Sequence, residues 1–108
     1  MALIAGPTIA AGASLSSIVD LGQTKPFVIF TPSQWTPANI TFQLSPDGTT
    51  FYELIRDNKV LMFACLPGQA LALNSELWPR DVRIKIRSGT ADKPIPQIGA
   101  RSFSVLVG

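Results

Sequence analysis

Apolar positions recur in short runs along the whole chain, separated at close intervals by nine prolines and eight glycines. From Asn39 to Ser45 the sequence reads N-I-T-F-Q-L-S, with Ile40, Phe42 and Leu44 alternating with Thr41, Gln43 and Ser45. A period of two puts the two sets on opposite faces of extended backbone, so the spacing predicts a strand with one buried face. Val82, Ile84 and Ile86 alternate in the same way with Arg83, Lys85 and Arg87, predicting a β-branched inner face and three cations on the outer one. Directly after the first strand, Ser45-Pro46-Asp47-Gly48-Thr49-Thr50 supplies a proline to fix φ and an Asp-Gly pair to accept positive φ, before Phe51 to Ile55 resumes an extended pattern. That is the signature of a β-hairpin. Further strands are predicted at Ser14 to Asp20, Pro26 to Phe30, Val60 to Ala64, Gln69 to Leu73 and Ser102 to Val107, each bounded by turn residues. The one helical fragment is Ser75 to Trp78, a single turn that Asn74 or Ser75 would cap and Pro79 would stop.

This rhythm of short strands and turns is that of an all-β fold, expected to be a single-domain antiparallel β-sandwich, jelly-roll-like, with about eight short strands. Residues 14–108 make up the sandwich, and residues 1–13 form either an N-terminal arm or its first strand. A chain of 108 residues supports one core, burying roughly 65% of the surface its unfolded form exposes.

Composition sharpens the picture in two respects. Hydrophobic residues make up 46% and charged residues only 15%, too apolar for disorder and poor in solubilising charge, so part of the apolar surface is expected to meet another protein. Nine basic against seven acidic residues give a net charge of +2 without any basic run, and neither a nucleic-acid partner nor a membrane span is expected. The opening MALIAGPTIAAGASLSS lacks Lys or Arg and is broken by Gly-Pro, unlike a secretion signal. It is therefore read as belonging to a protein made in a cytoplasm, where Asn39-Ile40-Thr41 would be a chance match to the glycosylation acceptor pattern. Cys65 is the only cysteine, excluding an internal disulfide, and its apolar neighbours predict a buried, inert thiol.

Candidate chemistry is sparse. The chain has no histidine, which removes Ser-His-Asp and Cys-His nucleophiles, imidazole acid–base catalysis and the usual zinc sites together. The seven carboxylates, Asp20, Asp47, Glu53, Asp57, Glu76, Asp81 and Asp92, fall singly in turns or at strand ends, so no catalytic, cofactor or metal residues are assigned and the chain is read as no enzyme. Calcium at the Asp47 turn is set aside because a hairpin explains Asp47-Gly48 and few further oxygens lie near in sequence. The candidate partner-binding residues are Trp35, Trp78, Arg83, Lys85 and Arg87. Both tryptophans lie in connections, where an indole either stacks on a sugar or partner protein or forms a lid over one end of the core. The cationic row is either a binding surface or a solvated strand face that protects an edge.

Two resemblances bear on function. Asp20-Leu21-Gly22, the stretch Ile40 to Phe51 with its S-P-D-G-T-T-F turn, and Val82 to Arg87 resemble, in that order, the cues of discoidin-like, galactose-binding-type β-sandwiches. Phe51 stands where that group usually has tryptophan, so carbohydrate or lipid binding does not carry over with the pattern. The whole chain, from Thr8-Ile9-Ala10-Ala11-Gly12-Ala13-Ser14-Leu15-Ser16 through Gln34-Trp35-Thr36-Pro37-Ala38 to Lys85-Ile86-Arg87-Ser88-Gly89-Thr90, is similar in style to small virion structural proteins of tailed bacteriophages. That resemblance implies a capsid decoration or cement protein, located in the virion, touching the major capsid protein or another virion protein. A homo-oligomer is expected, with apolar surface near Phe27, Ile29 or the small, uncharged stretch Ala2 to Ala13 packing between copies. The alternative expectation is a carbohydrate-binding or receptor-binding module of a phage fibre or tail, using Trp35 and Trp78.

Overall fold

The computed structural model describes residues 2–108. Its strands are β1 (Ala2–Ile9), β2 (Val19–Asp20), β3 (Pro26–Phe30), β4 (Ile40–Ser45), β5 (Tyr52–Glu53), β6 (Ile55–Arg56), β7 (Lys59–Val60), β8 (Ala70–Ala72), β9 (Arg83–Ser88) and β10 (Arg101–Val107). Eight of them form two four-stranded antiparallel sheets, ordered β1-β10-β3-β8 and β2-β9-β4-β5, and β6-β7 is a separate hairpin. The pairings β1 with β10, β2 with β9, β3 with β8 and β4 with β5 are those of one long hairpin, β1 to β4 against β5 to β10, rolled so that successive strands fall in opposite sheets. This is the jelly-roll topology, as the sequence rhythm predicts. The β6-β7 hairpin is inserted in the connection between β5 and β8.

The core lies between the sheets. Ile9, Ile29, Phe103, Val105 and Val107 come from one, Ile40, Phe42, Ile84 and Ile86 from the other, all at most 2% exposed. The register sets Phe42 opposite Ile86 and Thr41 opposite Arg87, with Ile40, Phe42, Ile84 and Ile86 in the core as the alternation predicts, whereas Leu44 is only half-buried and Thr41 and Ser45 on the other phase are fully buried. The fragment at Ser75–Leu77 is a single 3-10 turn. Asn74 occupies its cap position without a side-chain cap bond, and extended Trp78 ends it.

Several predicted strands are shorter than their apolar runs. Only Val19–Asp20 of the segment from Ser14 pairs as a strand, because Ser16 takes the place of a ladder residue: its N–H donates to Ile86 O, and its Oγ accepts the Ile86 N–H at 2.8 Å. Phe51 to Ile55 is split between β5 and β6, since the Leu54 N–H turns back to Phe42 O. Val60 to Ala64 keeps only Val60 in β7 and an isolated bridge from Phe63 to Ile40. A tight turn at Asp57 and Asn58, with φ of 53° and 63°, closes the β6-β7 hairpin. The sequence pattern did not single out that turn, although Asp and Asn tolerate left-handed backbone better than most residues.

Residues 2–9 are an edge strand of the β1-β10-β3-β8 sheet. The register with β10 slips between Ala5 and Thr8, at the Gly6-Pro7 pair that breaks the apolar run. Met1, the first residue of the expected arm, lies outside the described residues.

Candidate functional site

The residues singled out in the sequence are drawn into the fold. The Trp35 indole is 2% exposed, packs edge-on against Phe103 at 5.3 Å, and donates its Nε1–H to Ala38 O at 3.3 Å. Trp78 is 4% exposed and meets Phe42 edge-on at 5.2 Å. Both indoles form lids on the core, one of the two readings their place in connections allows, and neither ring offers a free face to a sugar. The apolar area that a buried indole removes from water is the physical reason.

The cationic row is also closed on itself. Arg83 Nε lies 3.6 Å from Asp20 Oδ2 on the neighbouring β2. Its side chain passes so close to Gly48 that a Cβ there would sit 2.9 Å from Arg83 Cδ, which with a φ of +81° explains the glycine of the 45–50 turn. Lys85 Nζ sits 4.4 Å above the Phe51 ring, a cation–π contact. Arg87, expected on a solvated face, is 8% exposed and donates to both carboxylate oxygens of Glu53, with Nη2–Oε2 at 2.9 Å. Gln43 Nε2 donates to the same Glu53 Oε2 at 2.7 Å. The Arg87 hydrogen bonds hold the Glu53 carboxyl below its usual value against the opposing effect of burial. The three cations therefore meet partners on their own sheet and do not form a free basic patch.

At the predicted hairpin, Asp47 Oδ1 accepts the backbone N–H groups of Thr49 and Thr50 at 2.8 and 3.0 Å and a 3.0 Å bond from Ser45 Oγ. The Thr50 and Thr49 amides lower its carboxyl below the usual aspartate value. Of the Asp-Gly pair only Gly48 takes positive φ. This is an Asx turn with its oxygen occupied by backbone. No cluster of three or more Cys, Asp or Glu suited to a metal exists among the described residues, and no helix there is long and apolar enough to cross a membrane.

Exposed large apolar side chains occur at Tyr52, Ile55, Val60 and Met62 on and beside the β6-β7 hairpin, but the surface that combines apolar residues with a lack of charge is the outer face of the β1-β10-β3-β8 sheet. Register places two rows straight across all four strands: Leu3, Leu106, Val28 and Ala72, then Ala5, Ser104, Phe30 and Ala70. Leu3 is 62% and Phe30 39% exposed. The three alanines are exposed, and Val28, Ser104 and Leu106 half-buried. Not one is charged, and serine is the only polar member, over a width of roughly 14 Å, three strand spacings of about 4.8 Å. A sandwich standing alone in water places polar residues on both outer faces, as the other sheet does with Gln43, Arg83 and Lys85.

Of the surface expected near Phe27, Ile29 or Ala2 to Ala13, Ile29 is fully buried on the inner face and Phe27 falls at the register shift beside Pro26, so Val28 and Phe30 are the β3 residues that face outward, beside Leu3 and Ala5 of β1. The available signal was that A-L-I-A, F-V-I-F and A-L-A-L are apolar in both phases, whereas β4 and β9 alternate. A smaller apolar pocket of about 130 Å³ lies between the β6-β7 hairpin and the Trp78-Pro79 turn, lined by Leu54, Ile55, Arg56 and Leu61 as well.

No protein-family model, no curated protein and no solved structure matches the chain.

Proposed function

We propose that this protein is a non-catalytic structural component of a tailed-phage particle, a capsid decoration or cement protein made in the host cytoplasm and held on the head by protein–protein contact. The observation that carries the reading is the uncharged two-row face Leu3-Leu106-Val28-Ala72 and Ala5-Ser104-Phe30-Ala70. Contiguous apolar surface on a small soluble domain marks a contact site, and a flat sheet face suits another protein's surface better than a small molecule, which needs a concave pocket. The phage-like style of the sequence directs the contact to the major capsid protein or another virion protein. The jelly roll is compatible with this role and does not by itself decide it. The carbohydrate-binding alternative draws no support from the buried indoles of Trp35 and Trp78.

Mass spectrometry of purified particles of the encoding phage tests the proposal. The expected result is the chain at a stoichiometry comparable to that of the capsid subunit. Its absence from intact particles would refute the virion role.

A further inference from the structure

We infer that copies of this chain join head to tail through the two edges of the sheet that carries the apolar face, the β1 edge of one copy pairing with the β8 edge of the next. The inference deepens the reading of the protein as a contact-making structural component by naming a second copy as one of its partners.

The Thr8 N–H donates to Ser17 Oγ at 3.1 Å and Thr8 O accepts the Ser17 N–H at 2.9 Å, so the Thr8 backbone points away from β10. Alternation through the register Thr8 to Ser102 and Ile4 to Val105 then turns Ala2 and Ile4 toward β10 and leaves the N–H and C=O of Leu3 and Ala5 pointing outward. On the opposite edge, the Thr31 N–H donates to Gln69 O and the Leu73 N–H to Phe27 O, so Gln69, Leu71 and Leu73 face β3 while Ala70 and Ala72 face outward. None of these four outward residues has a backbone partner elsewhere among the described residues.

The Gly6-Pro7 register slip blunts β1 beyond Ala5 and β8 is only three residues long, but neither Leu3 to Ala5 nor Ala70 to Ala72 is guarded by charge. No charged residue occurs from Ala2 to Val19, nor from Val60 to Ser75. The other sheet shows the contrast: its edges β2 and β5 are two residues long and each contains a carboxylate, Asp20 and Glu53.

The two open edges match. Each offers two outward residues at a spacing of two, Leu3 and Ala5 against Ala70 and Ala72, and a facing pair in an antiparallel ladder exchanges two hydrogen bonds. Strand directions alternate across the four-stranded sheet, so β1 and β8 run oppositely. A second copy set beside the first in the same orientation therefore continues the antiparallel alternation and keeps the apolar face on the same side. Two-fold pairing of β1 with β1 would leave β8 open in both copies, whereas head-to-tail pairing covers both edges of every interior member. Such contacts close into a ring or extend as a strip.

The test uses the intact chain. Leu3→Cys and Ala72→Cys are made separately and together, with Cys65 left in place because it is 3% exposed. Facing residues in a hydrogen-bonded antiparallel pair lie about 5.5 Å apart at Cα, within disulfide range. Under mild oxidation, a mixture of the two single variants should give a covalent dimer and the double variant a ladder of multimers or one closed ring, while each single variant alone forms no covalent cross-link. Sedimentation velocity should show the unmodified protein associating, and Leu3→Lys or Ala72→Lys should weaken that association at least about tenfold with circular dichroism unchanged. Leu3→Cys cross-linking to itself would overturn the head-to-tail geometry, as would an unmodified protein that stays monomeric at its highest soluble concentration. Association in solution by a chain absent from particles would refute the virion role and keep this inference. A monomer found on particles would do the reverse.

Discussion

Arg87 shows how one side chain changes meaning between sequence and structure. Alternation puts it on the outer face of β9, but Glu53, two strands away on β5 and held by Gln43, takes both of its donors and its side chain is only 9% exposed. A guanidinium stripped of water needs its counter-charge, so Glu53→Gln should destabilise the fold by about 2 kcal/mol, below the cost at a fully buried pair because Glu53 is 30% exposed. The same pair sets a pH dependence. The Arg87 hydrogen bonds hold the Glu53 carboxyl below its ordinary value of 4.5. A depressed carboxylate contributes stability that is fully present above the ordinary value and is lost as pH falls through the folded one. Urea midpoints measured from neutral pH downward should therefore fall below about pH 4.5, and less steeply in Glu53→Gln. Equal slopes in the two proteins would remove Glu53 as the cause. Cys65 makes a second residue-level prediction, because burial pushes its thiol up to about 11. A thiol reagent at pH 8 should label it only as fast as the protein opens, and immediate labelling of the native protein would contradict its buried place.

Among the elements, those whose partners lie on one clean period were legible and those shaped by local hydrogen bonds were not. β4 and most of β9 carry their own face assignment, since apolar residues alternate with polar ones from Ile40 to Ser45 and from Arg83 to Arg87, and only Ser88, opposite Ile40, breaks the pattern. The Asp47-Gly48 turn was legible for a similar reason, its side-chain chemistry being local. By contrast, nothing in the run Ser14 to Asp20 announces that the Ser16 hydroxyl would replace a ladder bond to Ile86. β3 was legible as a strand but not in phase, because Phe27, Val28, Ile29 and Phe30 are apolar on both sides and only the pairing with β10 and β8 decides which side is core. A stability measurement separates the two sides. Phe42→Ala and Ile84→Ala, both at fully buried positions, should cost about 2–5 kcal/mol. Val28→Ala on the outward row should cost less than about 1 kcal/mol, the range of substitutions outside the packed core. Comparable losses at all three positions would mean that the β1-β10-β3-β8 sheet buries its other face within the monomer.

At the scale of the whole molecule the two sheets do opposite things with their outer surfaces. One covers itself with Arg83, Lys85 and Arg87 and their partners Asp20, Phe51 and Glu53. The other has no charge in its two rows across four strands and no charge along either edge strand. Composition hinted at this, because 15% charge leaves too few ionic groups to cover a small domain evenly, but the concentration of the deficit on one sheet depends on topology and so was invisible before the strand order was known. If that face is what holds the protein on a particle, a single carboxylate near its middle should act out of proportion to its size. In Phe30→Glu, solvent keeps the new charge hydrated in the free protein, so the fold should lose no more than about 1 kcal/mol. Seating the same residue against a capsid surface would strip that water without offering a cation, a cost of several kcal/mol. The variant should therefore fold, with an unchanged circular dichroism spectrum, and fail to bind particles stripped of the native protein. Lys59→Glu at the tip of the β6-β7 hairpin provides the control, because it changes charge beside the smaller apolar pocket and leaves the sheet face untouched. Attachment that survives Phe30→Glu and is lost in Lys59→Glu would move the contact to the hairpin and refute the sheet-face reading.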